Sequence, residues 1–161
     1  MLDHCVEILL VEDNPNDEMM ALHAFKRQKI VNDVFVVRDG VEALEYIFCT
    51  GAYADRTAEN PKLILLDLKL PKIDGIEVLR RIRSDPRTRL VPVVVLTTSS
   101  EDRDIAEAYK LGVNSYIVKP VDFEQFNDVT NRLGFQWLIL NQQPSSVIES
   151  SPPVTPALVS I

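Results

Sequence analysis

Leu63-Ile64-Leu65-Leu66-Asp67 is a run of four aliphatic residues closed by an acid. An unbroken apolar run of this length reads as a strand covered on both faces, the kind found in parallel sheets. A second run, Ile8-Leu9-Leu10-Val11, ends in Glu12-Asp13 just before the turn-forming pair Asn14-Pro15. Further along, Val93-Val94-Val95-Leu96 ends in Thr97-Thr98, and Tyr116-Ile117-Val118 ends in Lys119-Pro120. If these four runs are parallel neighbours, three carboxylates, a hydroxyl and one ammonium gather at one sheet edge. That edge is where ligands bind in open α/β folds. The set suits a divalent cation and a phosphoryl group.

Between the runs lie amphipathic helical patterns, and the alternation, repeated about five times, is what parallel βαβ units produce. Strands are expected near 6–11, 34–37, 63–66, 93–96 and 116–118. Asn14 is an N-cap with Pro15 at the first helical position, and Met19, Leu22 and Phe25 form one apolar face. The second helix follows Asp39-Gly40 and buries Val41, Leu44 and Ile47. Asp74-Gly75 opens the third, with Ile76, Leu79 and Ile82 inward and Arg80, Arg81 and Arg83 as a solvated flank. Ser99 or Ser100 caps the fourth, which buries Ile105, Ala108 and Leu111 and stops at Gly112. The fifth begins at Asp122 with Gln125 three residues on, a capping-box pattern, and carries Phe126, Val129 and Leu133. Residues 48–61 form a connection longer than most. The Ser/Pro-rich stretch 143–161 reads as a flexible tail after a folded domain over 1–142.

The 161 residues carry a formal charge of −7, with 46% hydrophobic and 25% charged residues. One globular domain of ordinary composition follows. The acidic balance, without a Lys/Arg cluster, argues against nucleic acid as a partner. No stretch approaches the roughly 20 apolar residues of a membrane span, so no membrane is expected and a cytoplasmic location is. Cys5 and Cys49, far apart and in no C-x-x-C, read as thiols with no disulfide or metal role.

The chemistry explains the residue types. A carboxylate can accept a phosphoryl group as an acyl phosphate. Clustered carboxylates repel unless a cation sits among them, and magnesium is a hard ion that takes carboxylate and phosphate oxygens. A lysine and hydroxyl or backbone donors would stabilise the transferring group. Each residue alone is weak testimony, since an Asp after a strand is most often the first solvated residue of a loop. Convergence of four strand ends is what gives weight.

The segments Val11-Glu12-Asp13-Asn14, Leu66-Asp67-Leu68-Lys69-Leu70-Pro71 with Asp74-Gly75, Leu96-Thr97, and Tyr116-Ile117-Val118-Lys119-Pro120 together resemble the receiver domain of two-component response regulators, over roughly residues 6–140. The resemblance implies a doubly wound, flavodoxin-like five-stranded parallel sheet in the order 2-1-3-4-5, the order of known receivers, flanked by five helices. It implies Asp67 as phosphoacceptor and magnesium held by Glu12, Asp13, Asp67 and the backbone carbonyl of Lys69, with Glu12 acting through water. It implies Lys119 as the phosphoryl's partner, Thr97 as the switch hydroxyl and Tyr116 as the aromatic that follows it. Thr98 and Lys69 depart from the commoner residues beside the site, which bears on the rate of phosphoryl loss. The 48–61 segment, Leu96-Thr97-Thr98-Ser99 and Trp137-Leu138-Ile139-Leu140-Asn141 look like the small regulators paired with phytochrome kinases.

The implied protein is a single-domain regulator, not an enzyme in the ordinary sense. Its donor is a sensor histidine kinase of the phytochrome type, and its output passes to a downstream protein through the face of the fourth helix, fifth strand and fifth helix. A haloacid-dehalogenase-type phosphatase would place an acid two residues after the nucleophile, where Lys69 stands. No P-loop motif occurs, and no chemical element is missing that would favour a receiver that only binds. The end of the fifth helix, read through to Leu140, is apolar nearly all round, so Phe135, Leu138 and Ile139 are expected at a homodimer interface.

Overall fold

The computed structural model describes residues 8–27, 33–57, 59–98 and 102–134. Five strands, β1 (Ile8–Val11), β2 (Val34–Val37), β3 (Leu63–Asp67), β4 (Val93–Thr97) and β5 (Ser115–Val118), alternate with α1 (Pro15–Arg27), α2 (Gly40–Phe48), α3 (Gly75–Ser84), α4 (Asp102–Lys110) and α5 (Phe123–Leu133). All neighbouring strands pair in parallel, in the order β2-β1-β3-β4-β5. β1, β3 and β4 are buried along their whole length, as their unbroken aliphatic runs require.

Alternate residues of β1 to β4 feed two cores, and β5 adds Ile117 to one of them. Ile8, Leu10, Leu63, Leu65, Val94, Leu96 and Ile117 pack against α1 and α5. Leu9, Val11, Ile64, Leu66, Val93 and Val95 pack against α2, α3 and Ala108 of α4. At the α1/α5 face the rings of Phe25 and Phe126 lie 4.7 Å apart.

The helix starts follow the local chemistry expected of them. Asp39, Asp74 and Asp122 are extended and accept hydrogen bonds from the third residue of α2, α3 and α5 respectively. Asn14 Oδ1 does the same at α1, accepting from Asn16 and Asp17. Gly112 takes the left-handed conformation, φ 81°, after α4. The Ser99 and Ser100 caps fall outside the described residues.

Several expectations are corrected. Met19 is 64% exposed, and α1 instead buries Ala21, Ala24 and Phe25, with Leu22 partly buried. Two three-residue steps drift about 120° round a helix, so Met19 and Phe25 do not share one narrow stripe. On α2 and α3 the buried set also takes in Ala43, Tyr46 and Val78, while Val41 and Ile76 are only half-buried. Arg83 is no solvated flank: it donates to the carbonyls of Val91 at 2.8 Å and Gly112 at 2.9 Å.

The fifth helix closes at Gly134, φ 68°, whose N–H returns to Thr130 and Asn131 carbonyls. It does not run unbroken to Leu140; Phe135, Leu138, Ile139 and the stretch 143–161 lie outside the described residues. The described residues of the 48–61 connection, all but residue 58, are held in place. They include a short 3-10 turn (Gly51–Tyr53), and the Tyr53 ring packs with Phe35 and Tyr46 while its hydroxyl donates to Glu42 at 2.6 Å. Arg56 stacks over Tyr46 and donates to its carbonyl at 2.8 Å. Cys49 is in no disulfide; Cys5 is not among the described residues.

Candidate functional site

Parallel register delivers the polar strand ends to one place. Val11 is level with Leu66, Asp67 with Leu96, and Thr97 with Val118. Glu12 and Asp13, Asp67, Thr97 and Lys119 therefore leave four neighbouring strands at the same edge. Asp67 and Thr97 are the last residues of their strands, not the first of a loop, and are 1% and 3% exposed. The view of Asp67 as an ordinary solvated loop residue fails on that burial. Gly75 lets α3 start against this edge: its N–H donates to the Leu68 carbonyl, and a Cβ there would collide with the Asp67 carbonyl oxygen.

Glu12, Asp13 and Asp67 each offer a carboxylate oxygen within 4.8 Å of the others. Glu12 is buried and Asp13 exposed. Burial and then the Asp67 charge push the Glu12 carboxyl up to about 8, against the pull of Lys119. Asp13 is raised too, first by burial and then by Asp67, with its own backbone opposing. Raised acids packed together are the signature of a place that wants a cation. The donor set is all hard oxygen, and it fits a magnesium-class ion.

The charge the structure does supply is Lys119. Its Nζ lies 3.0 Å from Asp67 Oδ2, 3.3 Å from both Glu12 oxygens and 3.0 Å from Asp17 Oδ2 of α1. Burial alone would lower this ammonium's pKa. The bonds to Asp17 and Asp67, with the attraction of Asp67 and Glu12, outweigh that and hold it above the usual lysine range. The Lys119 backbone N–H donates to the Thr97 carbonyl at 2.6 Å, and the Lys119-Pro120 peptide is cis. The other Asp67 oxygen, Oδ1, accepts from the Lys69 N–H at 3.0 Å. Tyr116 stands outward, 37% exposed, with its ring edge-on to Tyr109 of α4.

Sequence reasoning thus located Glu12, Asp13, Asp67, Thr97 and Lys119, and the structure brings them together, with Lys69 and Tyr116 alongside. It missed Asp17. The signal was available, since Asp17 lies one helical turn beyond Asp13, but an acid in a first turn is ordinary dipole chemistry. It also missed the partner of Lys69, whose ammonium lies 3.7 Å from Asp104 of α4, and the Tyr109 ring beside Tyr116.

Residues 8–131 match the family described as the response regulator receiver domain. The chain is 49% identical to the bacteriophytochrome response regulator RtBRR, whose solved structure aligns over 84% of this chain and 82% of that one with a TM-score of 0.78. It is 45% identical to the phosphorylated cyanobacterial phytochrome response regulator RcpA, over 80% and 91% of the two chains, TM-score 0.68. It is 37% identical over 131 residues to the response regulator Rcp1 of Synechocystis sp., covering 81% of this chain and 88% of that protein. The Mn(2+)-bound form of Rcp1 superposes with a TM-score of 0.69, over 82% and 94% of the two chains.

Proposed function

This chain belongs to the response regulator receiver domain family, and on that premise we propose that it takes a phosphoryl group onto Asp67 from a phosphohistidine of a sensor histidine kinase. The observation that carries the reading is a buried carboxylate, Asp67, held between the Lys69 N–H and the Lys119 ammonium, with Glu12 and Asp13 within reach of one shared cation. An Asp67 oxygen attacks phosphorus; the bond to the donor's nitrogen breaks, its electron pair leaves with the imidazole, and an acyl phosphate remains. Lys119 offers its charge to a phosphoryl oxygen, and the Thr97 hydroxyl is the second donor from the neighbouring strand. Glu12, Asp13, Asp67 and the Lys69 carbonyl would hold magnesium, which neutralises the carboxylates and draws in the phosphoryl oxygens. A manganese-bound relative supports a divalent ion of this class.

The phosphorylated, phytochrome-linked relative supports a kinase of the phytochrome type as donor. Output passes through the α4-β5-α5 face, where Thr97 and Tyr116 would move together, to a downstream protein. A homodimer through Phe135, Leu138 and Ile139, a domain over 1–142 with a tail beyond it, and a cytoplasmic location complete the reading. Among the described residues no helix is long and apolar enough to cross a membrane. Intact mass after mixing pure protein with magnesium and acetyl phosphate tests the core of it. One added phosphoryl group is expected, absent with excess chelator. Equal labelling with and without the chelator would refute the cation's role.

A further inference from the structure

The Lys119 ammonium has three N–H donors and is surrounded by three carboxylates, those of Glu12, Asp17 and Asp67. Two of these belong to the acidic pocket itself. The third comes from outside it: Asp17 lies in the first turn of α1, fixed there by its N–H on Asn14 Oδ1 at 3.1 Å. Its neighbour Glu18 turns instead to Arg38, 2.9 Å away. Asp17 is thus aimed at Lys119 from the far side of the β1–α1 loop.

We infer that Asp17 is a positioning residue for Lys119, holding its ammonium on the α1 side and setting how fast, and with what salt dependence, Asp67 takes up a phosphoryl group. The inference rests on Asp67 being the acceptor. Phosphorylation turns the Asp67 carboxylate into an acyl phosphate, so that partner changes during the reaction. Asp17 does not react, and keeps one of the three ammonium donors throughout. It also adds a fourth carboxylate beside Glu12, Asp13 and Asp67, and so repels the dianionic phosphoryl donor as it approaches.

The test uses the full chain, saturating magnesium and acetyl phosphate, from which Asp67 takes phosphorus as the P–O bond breaks and acetate leaves with the electron pair. Asp17→Asn keeps an acceptor for Lys119 but removes the charge, and is expected to raise the rate of uptake about three- to tenfold at low ionic strength. The excess should shrink towards wild type as salt screens the site, and Asp17→Glu should restore the wild-type rate. A second readout needs no phosphoryl chemistry. Hydrogen exchange at the isotopically labelled Lys119 ammonium, followed by NMR in metal-free protein, should be slow in wild type and faster in Asp17→Ala. An uptake rate in Asp17→Asn equal to wild type, a rise that salt leaves unchanged, or identical Lys119 exchange in Asp17→Ala would each overturn the inference. Wild type that takes up no phosphoryl group would instead refute Asp67 as acceptor, and the exchange measurement would still decide whether Asp17 holds Lys119.

Discussion

The two ends of the sheet are built on opposite principles. At the carboxyl end, Glu12, Asp13 and Asp67 crowd together with Lys119 as the ammonium between them, and burial first, with the Asp67 charge after it, pushes Glu12 and Asp13 up. At the amino end the polar groups are matched. Arg83 donates to the carbonyls of Val91 and Gly112, Asn114 Oδ1 accepts from the Val93 N–H at 2.8 Å, and the buried Thr88 hydroxyl donates to the Ile82 carbonyl at 2.7 Å. One end is closed by neutral and singly charged groups with their bonds made. The other keeps an excess of negative charge that a cation can neutralise. A single fold tolerates both because the aliphatic strands between them hold the two ends apart.

That contrast can be broken most directly at Asp67. Asp67→Asn is expected to lose phosphoryl uptake altogether, while its melting temperature stays level or rises, because one of three repelling carboxylates is gone. Intact mass and a thermal melt together decide it; a fully labelled variant would sink the assignment. Next in size, Lys119→Ala removes the ammonium from among buried acids and should cost about 3 kcal/mol in metal-free protein. Magnesium should return most of that loss in a denaturant titration, and the variant should fold and accept phosphate yet fail to pass kinase-dependent output. Wild-type output would contradict the link from Lys119 to the switch.

The opposite end should respond in the opposite sense. Arg83→Ala leaves two carbonyls without their donor and is expected to cost about 2 kcal/mol of stability, with phosphoryl uptake at the wild-type rate when measured below the melting transition. A slowed uptake would show that the ends are coupled. The pH dependence of stability returns to the carboxyl end. Glu12 goes from its ordinary 4.5 to about 8 in the folded chain. Across that window the folded state keeps a proton that the unfolded chain has released, so metal-free stability falls as pH rises through it. Saturating magnesium binds the ionised carboxylate and should flatten the slope. Melts at several pH values with chelator and with magnesium would show it, and parallel curves would remove Glu12 from the ion site.

Much of this was legible along the chain. Three aliphatic runs marked the fully buried strands, and with Tyr116-Ile117-Val118 their ends named five site residues, because strand burial and strand ends are written in contiguous sequence. The helix starts were legible for the same reason, since Asn14, Asp39, Asp74 and Asp122 act on N–H groups two or three residues away. The receiver likeness then supplied the strand order, which no run of residues contains. Where a reading needed the far side of a contact it failed. Met19 looked like a core residue until Ala21 and Ala24 proved to be the ones facing the sheet, and the apolar pattern past Leu133 hid the helix end at Gly134.

The sequence by itself therefore determined which residues could do phosphoryl chemistry and on which strand ends they stand. Only the tertiary structure decided which of them share a charge. Lys119 lies 52 residues from Asp67 and 107 from Glu12, yet touches both, and it also touches Asp17, which along the chain reads as an ordinary first-turn acid. Local patterns are set by bonds between residues a few places apart. The electrostatics of the site is set by distance through space after register and burial have been fixed, and burial is also what lifts Glu12 and seals Asp67 from water.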